Sequence, residues 1–562
     1  MPPGHPEAAS MAALIQEQAA GLDLAIAEPA WGSDAESRIA QLNSAVLELE
    51  YTWVPFGMHE VGRPPSPAER AEMLLAIAEA AHGLHADRPV IEALVQGAPI
   101  SAVAALLGEH SAQNVTTVLE DLRRTDLLLA QDHELPAIVH ALDARYIHPA
   151  PGGDLVRTPA ILPTGRNIHG FDPFRIPSAF AIREGARQAQ QLLDRYAADG
   201  HEVPATIAMV LWGTDTLKTE GGPICQALAL LGAEPRFDAY GRLAGASLIP
   251  LEQLGRPRID VLITVSGIFR DLLPLQMKLL AEAALLAASA EEPLQMNFVR
   301  KHALEYQEAH KCDLETAALR VFGNTEGAYG ANVGNLIESS RWSDESEIAE
   351  TYTKRKCFAY GRSGRPVKQP ALLRSVLRDV ELTYQNLESV EVGLTTIDVY
   401  FDTLGGIATA ARRAAGNASP VYIGDQTRGT GVVRSLGEQV ALETRTRMLN
   451  PKWYEEMLKH GYEGVRQIEE HVSNTLGWSA TTGTVAPWVY QRITETFVLD
   501  PQMRDRIASL NPAASVKMAN RLLEAHARHY WTPDDDMLDA LRNASEDLED
   551  RLEGVTENEV AA

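Results

Sequence analysis

Four glycine-rich stretches carry the side chains best suited to chemistry. FGNTEGAYGANVGN (residues 322–335) holds Asn324 and Glu326, and YFDTLGG (400–406) holds Tyr400 and Asp402. YIGDQTRGTG (422–431) holds Asp425, and NTLGWSATTGTVAPW (474–488) holds Trp478 and Trp488. A carboxylate in such a loop can guide a hard divalent cation, which prefers oxygen ligands, and can accept a proton. Glycine lets backbone approach a flat ligand closely. Each carboxylate also has a plainer reading, as a turn residue or helix N-cap. Each tryptophan has one too, as core. A further stretch, YIHPAPGGDLVRTPAILPTGRNIHGFDPFRIP, places Arg157, Arg166 and His169 among prolines at 149, 151, 159, 163, 173 and 177. Arginine pairs with carboxylates by a bidentate fork. The plainer reading of Arg166 is a cap on a local carbonyl.

The elements that must position these residues can be read around them. The proline density forbids a long helix or a central strand, so residues 146–185 are expected to form an ordered loop. Thr206-Ile-Ala-Met-Val-Leu-Trp212 and Ile259-Asp-Val-Leu-Ile-Thr-Val265 are predominantly apolar runs ended by glycine or serine. They read as buried parallel strands, with helices following near Gly221 and over 272–289. Such alternation implies a doubly wound layer, whose ligands sit beyond the carboxyl ends of the strands. Those ends are Gly213-Thr214-Asp215 and Ser266-Gly267. The chain is thus expected to be α/β and multidomain, with a parallel doubly wound layer plus extensive helical regions. The expected division is a mostly helical segment over 1–145, then the Pro-rich loop and α/β domain over 146–295. A helical domain with Gly-rich loops and an acidic tail follows over 296–562.

Composition narrows the function. The 562 residues hold 50 Lys plus Arg against 76 Asp plus Glu, a formal charge of −26. That argues against nucleic acid as a partner and against electrostatic attachment to an anionic membrane. The one basic cluster, Lys354, Arg355, Lys356, Arg362, Arg365 and Lys368, reads first as a solvated face. The three cysteines are widely spaced and suggest no disulfide framework. No stretch reads as a membrane span or a signal peptide, so a cytoplasmic location is expected. There is no G-x-x-x-x-G-K-[ST], G-x-G-x-x-G, G-x-S-x-G or H-E-x-x-H motif. His302, His310 and Cys312 match no standard ligand spacing.

Several long runs resemble the large, tetrapyrrole-binding component of magnesium chelatase. They are YIHPAPGGDLVRTPAILPTGRNIHGFDP, VLWGTDTLKTEGG, LGRPRIDVLITVSGIFRD, NFVRKH, NTEGAYGANVG, YFDTLGG and NPKWYEEMLKHGYEGVRQIEEHVSNTLGWSATTG. They lie in the family's order and cover residues from about 20 to 555. The large component of cobaltochelatase is a relative with a similar loop set. The resemblance is to the C-terminal half of the large component, and the family's upstream T-H-G-A-L-E-type motif has no counterpart here. Val399 stands where the family usually has histidine in H-Y-F-D.

The resemblance implies ATP-dependent insertion of Mg²⁺ into protoporphyrin IX, a metal–nitrogen-bond-forming ligase reaction of (bacterio)chlorophyll biosynthesis. The alternatives are Co²⁺ insertion into a corrin precursor, or a non-catalytic tetrapyrrole-binding protein. Mg²⁺ enters as substrate, and ATP is expected to be hydrolysed by partner AAA+ subunits of the I and D types rather than bound by this chain. A separate N-terminal half is a further expected partner. The resemblance implies catalytic roles for Asp402 and Glu326, with Asp402, Glu326 and Asp425 meeting the metal. It implies tetrapyrrole contacts for Arg157, Arg166, His169, Tyr400 and Trp478.

Overall fold

The computed structural model describes residues 46–49, 52, 54, 57–107, 114–150, 155–168 and 172–555. His169 lies outside these described residues. The chain divides into two compact units. One comprises residues Glu60–Gln439 and Ser473–Val485; the other comprises residues up to His59 with Val440–Val472 and Ala486–Ala562.

The larger unit is built on an eight-stranded sheet. Its strands are β1 (Thr206–Leu211), β2 (Asp260–Val265), β3 (Val321–Gly323), β4 (Phe358–Tyr360), β5 (Pro366–Lys368), β6 (Leu382–Leu387), β7 (Val421–Asp425) and β8 (Val432–Ser435). The order across the sheet is β8-β7-β6-β1-β2-β3-β4-β5. The five strands from β7 to β3 are parallel, and β8, β4 and β5 extend the edges in antiparallel pairing. All six residues of β1 and all six of β2 are buried. Their apolar runs show no alternation because helices cover both faces of the sheet.

The expected doubly wound layer is therefore present, and it is wider than the two strands read from sequence. Six of its eight strands come after residue 296, in a stretch that reads as helical. Strand β6, LTYQNL, is buried throughout although half of it is polar. Strand β7 takes in the first four residues of the glycine-rich YIGDQTRGTG run.

Other loops resolve into elements. The Pro-rich stretch forms a parallel two-residue pairing, Pro149–Ala150 with Asn167–Ile168, before helix α1 (Ala179–Ala198). YFDTLGG is helical: a wide π-type turn, Phe401–Gly405, leads into a helix, Gly406–Ala415. Most of NTLGWSATTG lies at the end of a long helix, Tyr462–Thr482.

At the amino end of β2, Asp260 is fully buried. It accepts from Arg320 Nε at 2.7 Å and lies 2.9 Å from His302 Nδ1. Burial alone would raise its pKa, but those two partners hold it below the usual carboxylate range. His302 is thus tied into the base of the sheet rather than displayed on a helix surface.

The smaller unit is helical. Three of its helices start at Asn-Pro or Asp-Pro, where the Asn or Asp caps and the proline occupies the first turn. Asn450 accepts from the Lys452 amide at 3.0 Å, Asp500 from Met503 at 2.7 Å and Asn511 from Ala514 at 3.0 Å. Its core holds Trp453, Tyr490 and Trp531. His471 is buried edge-on to Trp453, and burial pulls its pKa down to about 3. No helix among the described residues is long and apolar enough to cross a membrane.

Candidate active-site crevice

The chain leaves β1 toward β2 and β3 on one side, while β6 and β7 lie on the other. The strand order therefore reverses between β1 and β6. In open parallel sheets a crevice opens at such a point, beyond the carboxyl ends of the strands. Two carboxylates are buried there. Glu388 directly follows β6, and Asp215 lies in the short helix α2 (Gly213–Lys218) that follows β1. Asp215 is 4% exposed and Glu388 is 2% exposed.

Glu388 is held by two side chains. Arg157 of the Pro-rich stretch donates through Nη1 to Oε2 at 2.9 Å. Asn386 Nδ2 donates to Oε1 at 3.0 Å and also reaches Gln188 of α1 at 3.2 Å. Burial nevertheless raises Glu388 to about 8 against the pull of Arg157, and the negative charge of Asp215 adds to the rise. Burial raises Asp215 to about 6, opposed by Lys218. Two carboxylates in one low-dielectric site titrate as a coupled pair.

A second centre lies beyond β2 and β3. Asp402, in the π-type turn, is 6% exposed. One oxygen accepts from the Ala331 amide and the other from the Gly334 amide at 2.9 Å. These bonds anchor the glycine-rich loop and the start of helix α3 (Val333–Glu338). Gly330 has φ +67°, and a Cβ there would lie 3.3 Å from Asp402 Oδ2, so glycine serves both the turn and the close approach. Further bonds stitch the same loop. Asn324 Nδ2 donates to Gly330 O at 2.7 Å, and Arg270 Nη1 donates to Thr325 O at 2.6 Å and Ala328 O at 2.9 Å. The Tyr360 hydroxyl donates to Asn324 O.

Lys356, at the end of the helix Glu345–Lys356, is 1% exposed and within electrostatic range of Asp402. Its Nζ lies 3.4 Å from Val265 O. Burial lowers its pKa to about 8, although Asp402 opposes the fall. It is no part of a solvated face, whereas the Lys354 side chain is 76% exposed. Asp398 is raised by burial, by Asp402 and by Glu338.

The remaining sequence candidates fall in several places. Tyr400 is buried with its ring edge-on to Trp212, 5.2 Å between centroids, which brings the YFDTLGG turn to the end of β1. Trp478 is fully buried. Its indole donates to Leu394 O at 2.8 Å and its ring meets Phe401 edge-on. Arg166 is exposed and donates to Leu162 O at 2.7 Å. Glu326 is exposed near the tip of its loop. Asp425 ends β7, accepts from the Thr427 amide at 3.0 Å and pairs with Arg434 at 2.8 Å. Among the described residues no three His, Cys, Asp or Glu side chains gather to hold a metal ion, so Asp402, Glu326 and Asp425 form no such group.

Sequence reasoning misses Glu388 and the buried state of Lys356. The polar strand LTYQNL hides the first, because half-polar strands do not look buried. A neighbouring run of exposed cations hides the second.

A doubly wound sheet with buried ionisable groups beyond its strand ends defines the class: an α/β protein built to act on a bound ligand at the carboxyl edge of its sheet. Comparison with known proteins narrows this. The CobN/magnesium chelatase family model matches residues 4–538, and the chain belongs to that family. It is 56% identical over 557 residues to the H-type component of magnesium chelatase from Rhodobacter capsulatus, a match covering 99% of this chain and 42% of the relative. It is 34% identical over 409 residues to the aerobic cobaltochelatase subunit CobN of Sinorhizobium, covering 71% and 32%. The catalytic subunit of cobaltochelatase from Mycobacterium tuberculosis superposes with a TM-score of 0.88 at 31% identity, over 96% of this chain and 49% of that one. The chain spans less than half the length of each of these relatives.

Proposed function

We propose that this chain is the C-terminal, tetrapyrrole-binding part of a magnesium chelatase that inserts Mg²⁺ into protoporphyrin IX. The observation that carries this reading is the 56% identity to a magnesium-chelatase H-type component over 99% of the chain. ATP is assigned to separate AAA+ subunits of the I and D types, and the remaining half of the large component to another chain or segment.

Insertion must strip water from the ion and remove two ring N–H protons. Mg²⁺ holds its water tightly and favours oxygen ligands. We assign Glu326, exposed near its loop tip, to the first encounter with the ion. Asp402 is assigned as the anionic centre: two backbone N–H groups occupy one lone pair on each oxygen, and a carboxylate has about four lone-pair sites. Tyr400 is assigned to the ring face of the ligand. Arg157, Arg166 and His169 of the Pro-rich stretch are assigned to its propionates, with Arg157 exchanging Glu388 for that partner.

Co²⁺ insertion into a corrin is the second reading, favoured by the 0.88 TM-score to the catalytic subunit of a cobaltochelatase. One experiment separates them. Deuteroporphyrin and a corrin precursor are titrated against tryptophan fluorescence, and metal insertion is then followed with partner subunits, the remaining half and ATP. Saturable porphyrin quenching with Mg-porphyrin formation is the expected result. Saturation by the corrin alone favours cobalt, and porphyrin binding without insertion favours a carrier protein. Linear, non-saturating quenching by both ligands would end the tetrapyrrole reading.

A further inference from the structure

Asp215 and Glu388 present a combination that ion pairing does not explain. They extend adjacent parallel strands at the point where the strand order reverses, one beyond β1 and one beyond β6. No protein group hydrogen-bonds Asp215 Oδ2, although the residue is 4% exposed. Buried carboxylate oxygens are normally satisfied, and an orphan beyond the carboxyl ends of the strands, where such sheets take their ligands, marks a position that a ligand's donor would complete. The charged groups around the pair are Arg157 from the Pro-rich stretch and Lys218 from α2. Neither saturates Asp215.

We propose that Asp215 and Glu388 form a proton-accepting dyad for a ring N–H of the bound tetrapyrrole, with Asp215 Oδ2 as the receiving atom. This rests on the chelatase reading above and adds to it the group that takes a proton during insertion. In the step, the ring N–H bond breaks and an O–H bond forms on the dyad. The electron pair stays on nitrogen and becomes the bond to the entering divalent ion. One of the two displaced protons goes to the dyad; the second goes to solvent water. Burial suits the pair to this task, because between about pH 6 and 8 it holds one proton and has room for one more. Burial, opposed by the charge of Lys218, sets when Asp215 accepts.

The test uses the full chain assembled with its partner subunits, the remaining half and ATP, with deuteroporphyrin and Mg²⁺ as probes. Asp215→Asn is expected to slow insertion roughly 10²- to 10⁴-fold, the usual loss on removing a positioned base. Deuteroporphyrin affinity should stay within about threefold, since apolar faces and propionates dominate binding. The wild-type rate should fall on the acid side near pH 6. Asp215→Asn should lose that limb, whereas Glu388→Gln should keep it, because Glu388 is already neutral below about pH 8. A merely structural Asp215 would leave the limb in place in Asp215→Asn. An activity-independent readout is the infrared difference spectrum of wild type minus Glu388→Gln. A protonated carboxyl band at pH 7 that disappears by pH 9 is expected, and its absence would overturn the dyad even if Asp215→Asn fails to fold. A parental rate and an unmoved acid limb in Asp215→Asn would overturn the dyad and leave the chelatase reading standing. A wild-type assembly that neither binds porphyrin nor inserts metal would overturn both.

Discussion

Asp402 accepts the Gly334 amide at 2.9 Å with one oxygen and the Ala331 amide with the other, so one side chain pins a loop 68 residues away in sequence. The carboxylate that the family resemblance singles out is also the clamp of the glycine-rich loop.

That geometry changes what Asp402→Asn should do. As a simple turn or cap residue, aspartate is replaced by asparagine almost without cost. Here both oxygens are used, and the amide NH₂ would face one of the two backbone N–H groups. A buried donor left unsatisfied costs about 1–3 kcal/mol. The variant should melt earlier than the parent, and exchange at the Ala331 and Gly334 amides should quicken. Parental melting and exchange would contradict the clamp.

Lys356 gives a second prediction. Its folded pKa of about 8 lies below the free value of about 10.4, so the folded chain binds fewer protons than the unfolded chain between those values. Stability from this group is present above about pH 10 and lost as pH falls toward 8. At neutral pH the buried ammonium is therefore a cost, at most about 3 kcal/mol by the linkage of 1.4 kcal/mol per unit. Lys356→Met should raise the melting temperature at pH 7, with a smaller gain at pH 9.5. A lower melting temperature at pH 7 would mean that pairing with Asp402 outweighs the desolvation.

His471 acts in the same sense at lower pH. Its folded pKa of about 3 lies below the ordinary 6.5. Its contribution is full above about pH 6.5 and falls with acidity at up to about 1.4 kcal/mol per pH unit, down to about pH 3. His471→Gln should flatten the acid side of a melting-temperature profile relative to the parent. Parallel profiles from pH 7 to 4 would rule this out.

Gly477 tests the packing behind the Asp402 turn. A Cβ at this helical position would meet three atoms of the Phe401 ring at 2.8 Å. Phe401 is buried and adjoins Asp402, so it cannot yield freely. Gly477→Ala should cost about 1–3 kcal/mol, as overpacked cores do, despite the better helix propensity of alanine. Urea unfolding followed by tryptophan fluorescence would show it.

The amino-acid sequence alone determined the strands whose burial is written in composition. Thr206–Leu211 and Asp260–Val265 are mostly apolar runs without alternation, as strands in the middle of a covered parallel sheet are. It also marked the loops that matter, because glycine and proline limit backbone conformation residue by residue. Tertiary structure alone decided the rest. LTYQNL becomes a central strand because neighbours on both sides pair its backbone, which its own polar side chains do not announce. Glu388 meets Arg157 from 231 residues away, and Asp215 comes into range of Glu388 only because β1 and β6 are adjacent. Lys356 is buried by the fold around it, although Lys354, Arg362, Arg365 and Lys368 of the same basic cluster are exposed. Charge, burial and partnership depend on distances between residues far apart in the chain, and those distances exist only once the sheet has closed its order.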